Sequence, residues 1–394
     1  MVTVQLKFVD AGDLYLSWRW EHAPTEPRAL RVPRDLVRAP LEDLSQALPS
    51  PLPGETVEQA LARSLAHGAL VDRSRETALA ENLAKALLPY GLAMELNTFI
   101  ERGIRPHLRI QPSPSTAQVP WEALRVDAGE RTVHNADVSL LPPATVRNAH
   151  DRRVSPWQPS GKVVGALDPK VPGMGSVLGR STLTSMVDQL GSRLVPQNRN
   201  VHRDELEREL TDASRFVYIG HVTTADHGLD ARMHLSCGAE TTGRAALVGA
   251  HRPLTAADIA LGHRPDSPRP WRIPNRVALI ACESGGDSRF AEPTGLVTVM
   301  VRGGAEYVTS TRWTLPTDAG LTKLVPGFSP DDGSVFTDAV LAVNDAHESP
   351  DPIAALSAWQ RKQADNWEAT GDPRFSPVLW GAFSTTYGEE IRMR

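Results

Sequence analysis

Phe216-Val-Tyr-Ile-Gly220 precedes His221, and Val277-Ala-Leu-Ile-Ala281 precedes Cys282. Both stretches are apolar and have the length of a β-strand. Apolar strands that alternate with amphipathic helices predict a parallel sheet covered by helices on both faces. Residues that follow such strands lie beyond their carboxyl ends, where α/β sheets place their chemistry. The sequence therefore predicts that His221 and Cys282 meet at one edge of the sheet.

The rest of the C-terminal part extends this α/β pattern. Val163–Leu167 and Tyr307–Thr311 are further strand candidates, and apolar spacing predicts a helix over 183–190. Cys282 is followed by a small, flexible Glu283-Ser-Gly-Gly-Asp287 segment and then by a helical pattern that runs towards residue 301. We therefore expect residues 71–394 to form an α/β domain with a mostly parallel sheet.

The N-terminal part has a different organisation. Residues 2–8 and 14–20 alternate apolar and polar side chains around a glycine-containing turn, which predicts a β-hairpin. A proline-rich stretch at 49–54 follows, and apolar residues spaced by four predict helices over 57–65 and 79–87. We expect residues 1–70 to form an accessory region that receives or gates partners, or else to complete the fold by covering the sheet.

Composition excludes several classes of protein. The chain has 394 residues, of which 41% are hydrophobic, and a net charge of −5. These values exclude wholesale disorder and a polycationic nucleic-acid binder. Two cysteines cannot form a disulfide scaffold, and the start lacks the uninterrupted apolar run of a signal peptide. We expect a cytoplasmic protein that contacts neither membrane nor nucleic acid and needs no cofactor.

The residue types at the two strand ends suit a thiol hydrolase. A cysteine attacks as the thiolate, which a neighbouring histidine favours. Small residues after Cys282 let a substrate carbonyl approach the sulfur. A buried structural cysteine is the alternative, because apolar strands commonly end in one. A third alternative, a metal- or nucleotide-binding α/β protein, has less support: His227, His234 and Cys237 match no compact zinc spacing, and no phosphate-binding glycine loop is present.

Several motifs occur in an order that resembles the CHAT family of bacterial caspase-like peptidases, relatives of caspases and separases. They are Leu108-Arg-Ile-Gln-Pro112, Val119-Pro-Trp-Glu-Ala-Leu124, Val138-Ser-Leu-Leu-Pro142, Tyr218-Ile-Gly-His221, Leu254-Thr-Ala-Ala-Asp-Ile259, Leu279-Ile-Ala-Cys-Glu-Ser-Gly285, Ser310-Thr-Arg-Trp313 and Trp380-Gly-Ala-Phe383. The resemblance covers about residues 75–385. It departs from the family pattern at Val222, since the family usually has glycine after the histidine.

The resemblance implies roles for particular residues. His221 and Cys282 correspond to the catalytic dyad, and the backbone N–H groups of Val222 and Cys282 to the oxyanion donors. The predicted substrate-binding residues are Asp226, Glu283, Asp287, Ser310, Thr311 and Trp313. The acidic members would favour Arg or Lys before the cut, because a carboxylate binds a guanidinium through paired hydrogen bonds. The alternative is that Arg312, beside the substrate strand, favours an acidic residue there, although strand alternation directs Arg312 away if Thr311 and Trp313 face the groove.

The expected function is that of a caspase-type cysteine endopeptidase. Its substrate would be a protein encoded nearby, in a bacterial defence or cell-death system, and an activating partner would act through the N-terminal region. The alternative is a catalytically inactive CHAT fold that serves as a protein-interaction module.

Overall fold

The computed structural model describes residues 2–127, 129–224, 227–282, 284–290, 293–325, 328–329 and 334–389. The chain forms two compact units, one of Met1–Leu141 with Trp313–Ser384 and one of Pro142–Arg312 with Thr385–Arg394. Strands and helices occur in both units, which confirms the predicted α/β class.

The first unit contains the N-terminal strands and helices and the C-terminal helices. Its strands are β1 (Thr3–Ala11), β2 (Asp13–Trp20), β3 (Arg28–Val32), β4 (His107–Gln111), β5 (Arg125–Asp127), β6 (Glu130–Arg131) and β7 (Asp137–Leu140). Its N-terminal helices are α1 (Arg34–Ala47), α2 (Val57–His67), α3 (Arg73–Leu87), α4 (Tyr90–Ile100) and α5 (Thr132–Asn135).

The second unit carries both residues of the predicted dyad. Its strands are β8 (Val163–Leu167), β9 (Leu194–Val195), β10 (Arg215–Ile219), β11 (Val222–Thr223), β12 (Arg232–Met233), β13 (Leu254–Thr255), β14 (Arg276–Ile280) and β15 (Tyr307–Thr311). Its helices are α6 (Ala144–Arg147), α7 (Arg180–Leu190), α8 (Arg203–Leu210), α9 (Ala256–Leu261) and α10 (Leu296–Gly303).

The chain then returns to the first unit. The C-terminal helices are α11 (Asp318–Leu324), α12 (Val335–Glu348), α13 (Pro352–Thr370) and α14 (Pro377–Trp380), and the last strand, β16 (Phe383–Tyr387), crosses the boundary between the units. None of the helices in the described ranges combines the length and apolar character needed to cross a bilayer.

The predicted N-terminal hairpin is present and is part of a larger sheet. The strand order in the first unit is β3-β2-β1-β4-β7; β1 pairs antiparallel with β2 and parallel with β4. The side chains of Val4, Leu6 and Phe8 are buried, as their alternation predicts. Because β1 pairs with β4, residues 1–70 share a sheet with later strands, and the compact units divide the chain elsewhere than at residue 70.

The sheet of the second unit is wholly parallel, in the order β15-β14-β10-β8-β9. All five residues of β8, β10 and β14 are buried, as expected for strands covered on both faces. The observed β10 and β14 each begin and end one residue before the predicted stretches. β8 and β15 match their predicted bounds.

Candidate active site

The register of β10 and β14 places His221 and Cys282 side by side at one sheet edge. Ile219 pairs with Ile280 at the carboxyl ends of these two parallel strands. Beyond this pair, the N–H of Gly220 donates to the carbonyl of Ile280 at 3.3 Å. His221 and Cys282 are therefore each two positions past the last paired residues. Both are partly exposed.

Sterics explain why glycine precedes the histidine. A Cβ atom on Gly220 would lie 2.9 Å from the hydroxyl oxygen of Tyr218, closer than real Cβ atoms approach other atoms. That hydroxyl is occupied, since it donates to the carbonyl of His221 at 2.5 Å. Burial raises the pKa of Tyr218, so the hydroxyl keeps its proton and remains a donor. The Tyr218 hydroxyl therefore holds the backbone carbonyl of His221 in place.

A backbone carbonyl orients the His221 ring. Nε2 of His221 lies 2.8 Å from the carbonyl oxygen of Gly175. Because a carbonyl oxygen can only accept, Nε2 carries the proton and the lone pair is on Nδ1. Gly175 belongs to the β8–α7 loop, residues 168–179, which follows the strand that pairs with β10 on the other side from β14. A third strand end therefore contributes to the site.

A buried pair of histidines lies near His221. Nδ1 of His234 is 2.8 Å from Nε2 of His251, and Nε2 of His234 is 2.9 Å from the Thr223 hydroxyl. Burial, together with the neighbouring His251 and His221, lowers the pKa of His234 to about 4. His234 is therefore neutral near pH 7 and adds no positive charge beside His221.

The backbone at Val222 suits an oxyanion donor. Val222 pairs antiparallel with Met233, and the N–H of His234 donates to the carbonyl of His221 at 3.1 Å. This hydrogen-bond pattern makes Val222–Met233 a non-hydrogen-bonded pair, so the Val222 N–H points away from β12. Among the described non-glycine residues, only Asp168 has a positive φ. Valine therefore fits at position 222 without backbone strain.

Strand β15 supports the cysteine turn, which we define as the described residues 281, 282, 284 and 285. The Ser284 hydroxyl donates to the carbonyl of Leu279 at 2.6 Å and lies 3.1 Å from the Thr311 hydroxyl. The Thr311 hydroxyl also donates to the carbonyl of Ala281, and the N–H of Gly285 donates to the carbonyl of Thr311 at 2.9 Å. These bonds hold the backbone on both sides of Cys282.

The predicted substrate-binding residues occupy different environments. The side chains of Ser310 and Thr311 are buried beneath the cysteine turn. Trp313 is fully buried within the first unit, where its indole N–H donates to the carbonyl of Val378 at 2.9 Å. These burials give all three side chains a packing role. Their contact with substrate stays a prediction.

The three predicted acidic residues cannot be treated alike. Glu283 and Asp226 lie outside the described residues. The carboxylate of Asp287 is buried and accepts hydrogen bonds from the N–H groups of Val297 at 3.3 Å and Thr298 at 2.7 Å. Burial raises its pKa. In this structure Asp287 faces the first turn of α10, and its role in binding substrate also remains a prediction.

The second cysteine has a structural environment. Cys237 is fully buried, and its sulfur accepts from the N–H of Arg203 at 3.4 Å. His234, which the sequence places near it, bonds His251 instead. Cys282, in contrast, is partly exposed at the sheet edge.

One group of side chains in the described ranges has the composition of a metal site: Asp204, Glu207 and His263. The Arg264 guanidinium bonds Asp204 and lowers the pKa of its carboxyl. Nε2 of His263 lies 2.9 Å from the same carboxylate. Because an arginine already compensates this carboxylate, we assign no metal to the group.

Asp168, which follows β8 directly and is 1% exposed, was not predicted from the sequence to belong to the site. The available signal was the one that identified His221 and Cys282, a polar residue immediately beyond an apolar strand. The strand order was not available from the sequence, so nothing placed the end of β8 beside the end of β10.

Comparison with known proteins identifies a family and similar solved structures. A family model described as the CHAT domain matches residues 77–328, more than half of the chain. No curated protein matches it. Two crystal structures of the Saccharomyces cerevisiae separase–securin complex, at 3.0 and 2.6 Å resolution, are similar to it, each with 12% sequence identity and TM-scores of 0.49 and 0.45. Each alignment covers 98% of this chain and 30% of the other.

Proposed function

This chain belongs to the CHAT domain family, a family of caspase-like peptidases, and from that premise we propose that it is a cysteine endopeptidase whose dyad is Cys282 and His221. One observation carries the proposal. Adjacent parallel strands deliver a partly exposed cysteine and a carbonyl-oriented histidine to the same edge at the same register. A cysteine with only a structural role needs neither feature.

In the proposed mechanism, His221 moves the protons and Cys282 forms the covalent bond. Nδ1 of His221 takes the thiol proton, and the thiolate attacks the scissile carbonyl carbon. The oxyanion accepts hydrogen bonds from the N–H groups of Val222 and Cys282. When the C–N bond breaks, His221 returns its proton to the leaving amine. Water then attacks the thioester, His221 takes a proton from it, and the thiol is restored as the acid product leaves.

The Gly175 carbonyl has a defined part in these steps. It accepts a hydrogen bond from the Nε2–H group both before and after Nδ1 is protonated, so the ring keeps one orientation while its charge changes. A fixed dipole near the imidazolium also stabilises the positive charge that develops during attack. This places Gly175 in the role that a carboxylate has in other nucleophile–histidine systems.

The proposed substrate is a protein encoded near this chain, in a bacterial defence or cell-death system. The first unit supports a role for a partner, because its helices and strands are additional to the elements that carry the proposed dyad. We propose that the activating partner acts through residues 1–70.

The test combines the purified protein with the products of its neighbouring genes and identifies new peptide termini by mass spectrometry. Cys282→Ala and His221→Ala should abolish cleavage, and Cys237→Ala, which alters the other cysteine, should retain it if the variant folds. Identical new termini with wild type and Cys282→Ala would refute the dyad. Stable binding of a neighbour without any cleavage would favour an inactive interaction module.

A further inference from the structure

The Asp168 carboxylate binds the residues that directly follow Gly175, whose carbonyl contacts His221. It accepts hydrogen bonds from the N–H groups of Val177 at 3.0 Å and Leu178 at 3.4 Å, and from the Ser176 hydroxyl. These donors belong to the three residues that directly follow Gly175. A carboxylate that is 1% exposed and bonded to three consecutive residues fixes their path.

Arg199 completes this arrangement. The Nη2 atom of Arg199 donates to the Asp168 carboxylate at 2.7 Å and to the Ser176 hydroxyl at 2.9 Å. Its Nε atom donates to the backbone carbonyl of Asp168 at 2.5 Å. The carbonyl of Arg199 in turn accepts from the N–H of Lys170 at 2.9 Å. The buried negative charge therefore has a cationic partner, and both ends of the β8–α7 loop are held.

The backbone of Asp168 links this loop to the strand that carries the histidine. Its N–H donates to the carbonyl of Ile219, two residues before His221, at 2.6 Å. Its φ is +52°, a conformation that costs energy for a residue with a side chain and that aspartate and asparagine tolerate best. The positive φ of Asp168 turns the chain at the end of β8, and the Asp168 side chain then binds donors from residues 176–178 of the loop that follows.

We propose that Asp168 is a positioning residue for the dyad: its carboxylate holds the Gly175 carbonyl against Nε2 of His221 and so keeps the Nδ1 lone pair directed at Cys282. This inference rests on the proposed function and adds a residue to it. Without the carboxylate, residues 176–178 lose their common acceptor and the carbonyl is free to move. A histidine without its acceptor then changes ring orientation and tautomer, and the thiol loses its base.

The experiment measures alkylation of Cys282 by iodoacetamide as a function of pH, which needs no knowledge of the substrate. The main variant is Asp168→Asn, because asparagine keeps the shape and tolerates the positive φ but replaces one acceptor oxygen by a donor. Asp318→Asn is the matched control in the first unit, since Asp318 likewise accepts from a serine hydroxyl and a backbone N–H, those of Ser334 and Phe336. Ser176→Ala and Arg199→Lys are milder changes to the same network.

We expect Asp168→Asn to lower the alkylation rate at pH 7 by about tenfold or more, because small displacements of a catalytic group are costly. Its pH midpoint should rise towards the value of about 8.5 for an ordinary cysteine. Arg199→Lys should give a smaller shift in the same direction, and Asp318→Asn should leave the profile unchanged. Thermal unfolding of all variants separates these effects from loss of fold; if Asp168→Asn does not fold, the two milder variants decide.

Two results would overturn the proposal in distinguishable ways. If His221→Ala changes the wild-type profile but folded Asp168→Asn, Ser176→Ala and Arg199→Lys do not, the dyad stands and Asp168 has no positioning role. If wild type and His221→Ala both titrate as an ordinary thiol, the dyad itself fails, and the proposed function fails with it.

Discussion

The N–H of Thr298 donates to the carboxylate of Asp287 at 2.7 Å. This bond joins the segment after Cys282 to the first turn of α10. A helix N-terminus has N–H groups without intrahelical acceptors, and a carboxylate there satisfies them and interacts favourably with the helix dipole. Asp287 does so from nine residues upstream of α10, so it fixes where the segment from Cys282 meets the helix.

The first prediction concerns Asp287→Ala. Loss of the cap should lower the free energy of unfolding by about 1–2 kcal/mol, the usual cost of removing a capping side chain. The residue preferred before the cut should not change, because in this structure the carboxylate faces α10. Chemical denaturation measures the first effect and a fluorogenic tetrapeptide library the second. Asp188→Ala, on the helix α7, serves as a control. A lost preference for Arg or Lys at unchanged stability would establish Asp287 as the substrate-binding carboxylate instead.

The second prediction is that Cys282 is alkylated and Cys237 is not. Cys282 is partly exposed and follows the strand next to the one that precedes His221, its proposed base. Cys237 is fully buried, and its sulfur accepts a hydrogen bond from a backbone N–H. Iodoacetamide at neutral pH, followed by peptide mass spectrometry, should show label on Cys282 alone until the protein unfolds. Faster labelling of Cys237 in the native protein would contradict the assignment.

Strands β10 and β14 could be predicted from sequence to within one residue, because burial on both faces leaves an uninterrupted apolar run. His221 and Cys282 could be identified for the same reason, since a strand end is visible in the sequence. The one-residue difference arises at both ends of each strand. Gly220 and Ala281 lie beyond the last strand residues, and the strands begin at Arg215 and Arg276, which precede the apolar runs.

Other features depended on information that no local pattern contains. Three donors to the Asp168 carboxylate lie eight to ten residues further along the chain, and a fourth, Arg199, lies 31 residues further. The neighbourhood of Asp168 also depends on β8 lying beside β10. The offset of Asp287 from Cys282 does not reveal the direction of its side chain, so its burial against α10 could not be predicted. Residues 313–384 pack with the first unit through contacts between residues far apart in sequence, and helix and strand periodicity cannot reveal such contacts.

The third prediction is a pH-dependent stability that originates at His107. Burial, together with Arg109, lowers its pKa to about 4, and Nε2 lies 2.8 Å from the Ser139 hydroxyl. The unfolded chain binds a proton below its ordinary pKa of about 6.5, whereas the folded chain does not until about pH 4. Between these values the stability should therefore fall on acidification, by up to about 1.4 kcal/mol per pH unit from this group.

Urea denaturation between pH 7 and pH 4.5 tests this. His107→Gln should have a shallower dependence of unfolding free energy on pH than the wild type. His150→Gln is the matched control, because the His150 side chain is 97% exposed. Equal slopes for His107→Gln and the wild type would show that His107 titrates normally in the folded protein. His234, whose pKa is lowered in the same direction, contributes to the slope that remains.

The last prediction concerns residues 1–70, which the sequence leaves open between gating and structural roles. Val4 and Leu6 of β1 are fully buried, and the Phe8 ring stacks on Trp121 with centroids 5.0 Å apart. Removal of β1 would expose these contacts and leave the edge of β4 unpaired, and such edges promote aggregation. A chain that begins at Arg73 should therefore be insoluble. Leu6→Ala should destabilise the full chain by about 2–5 kcal/mol, while the outward-facing Lys7→Ala should have little effect. A truncated chain that stays folded and cleaves without its usual trigger would instead establish the region as a gate.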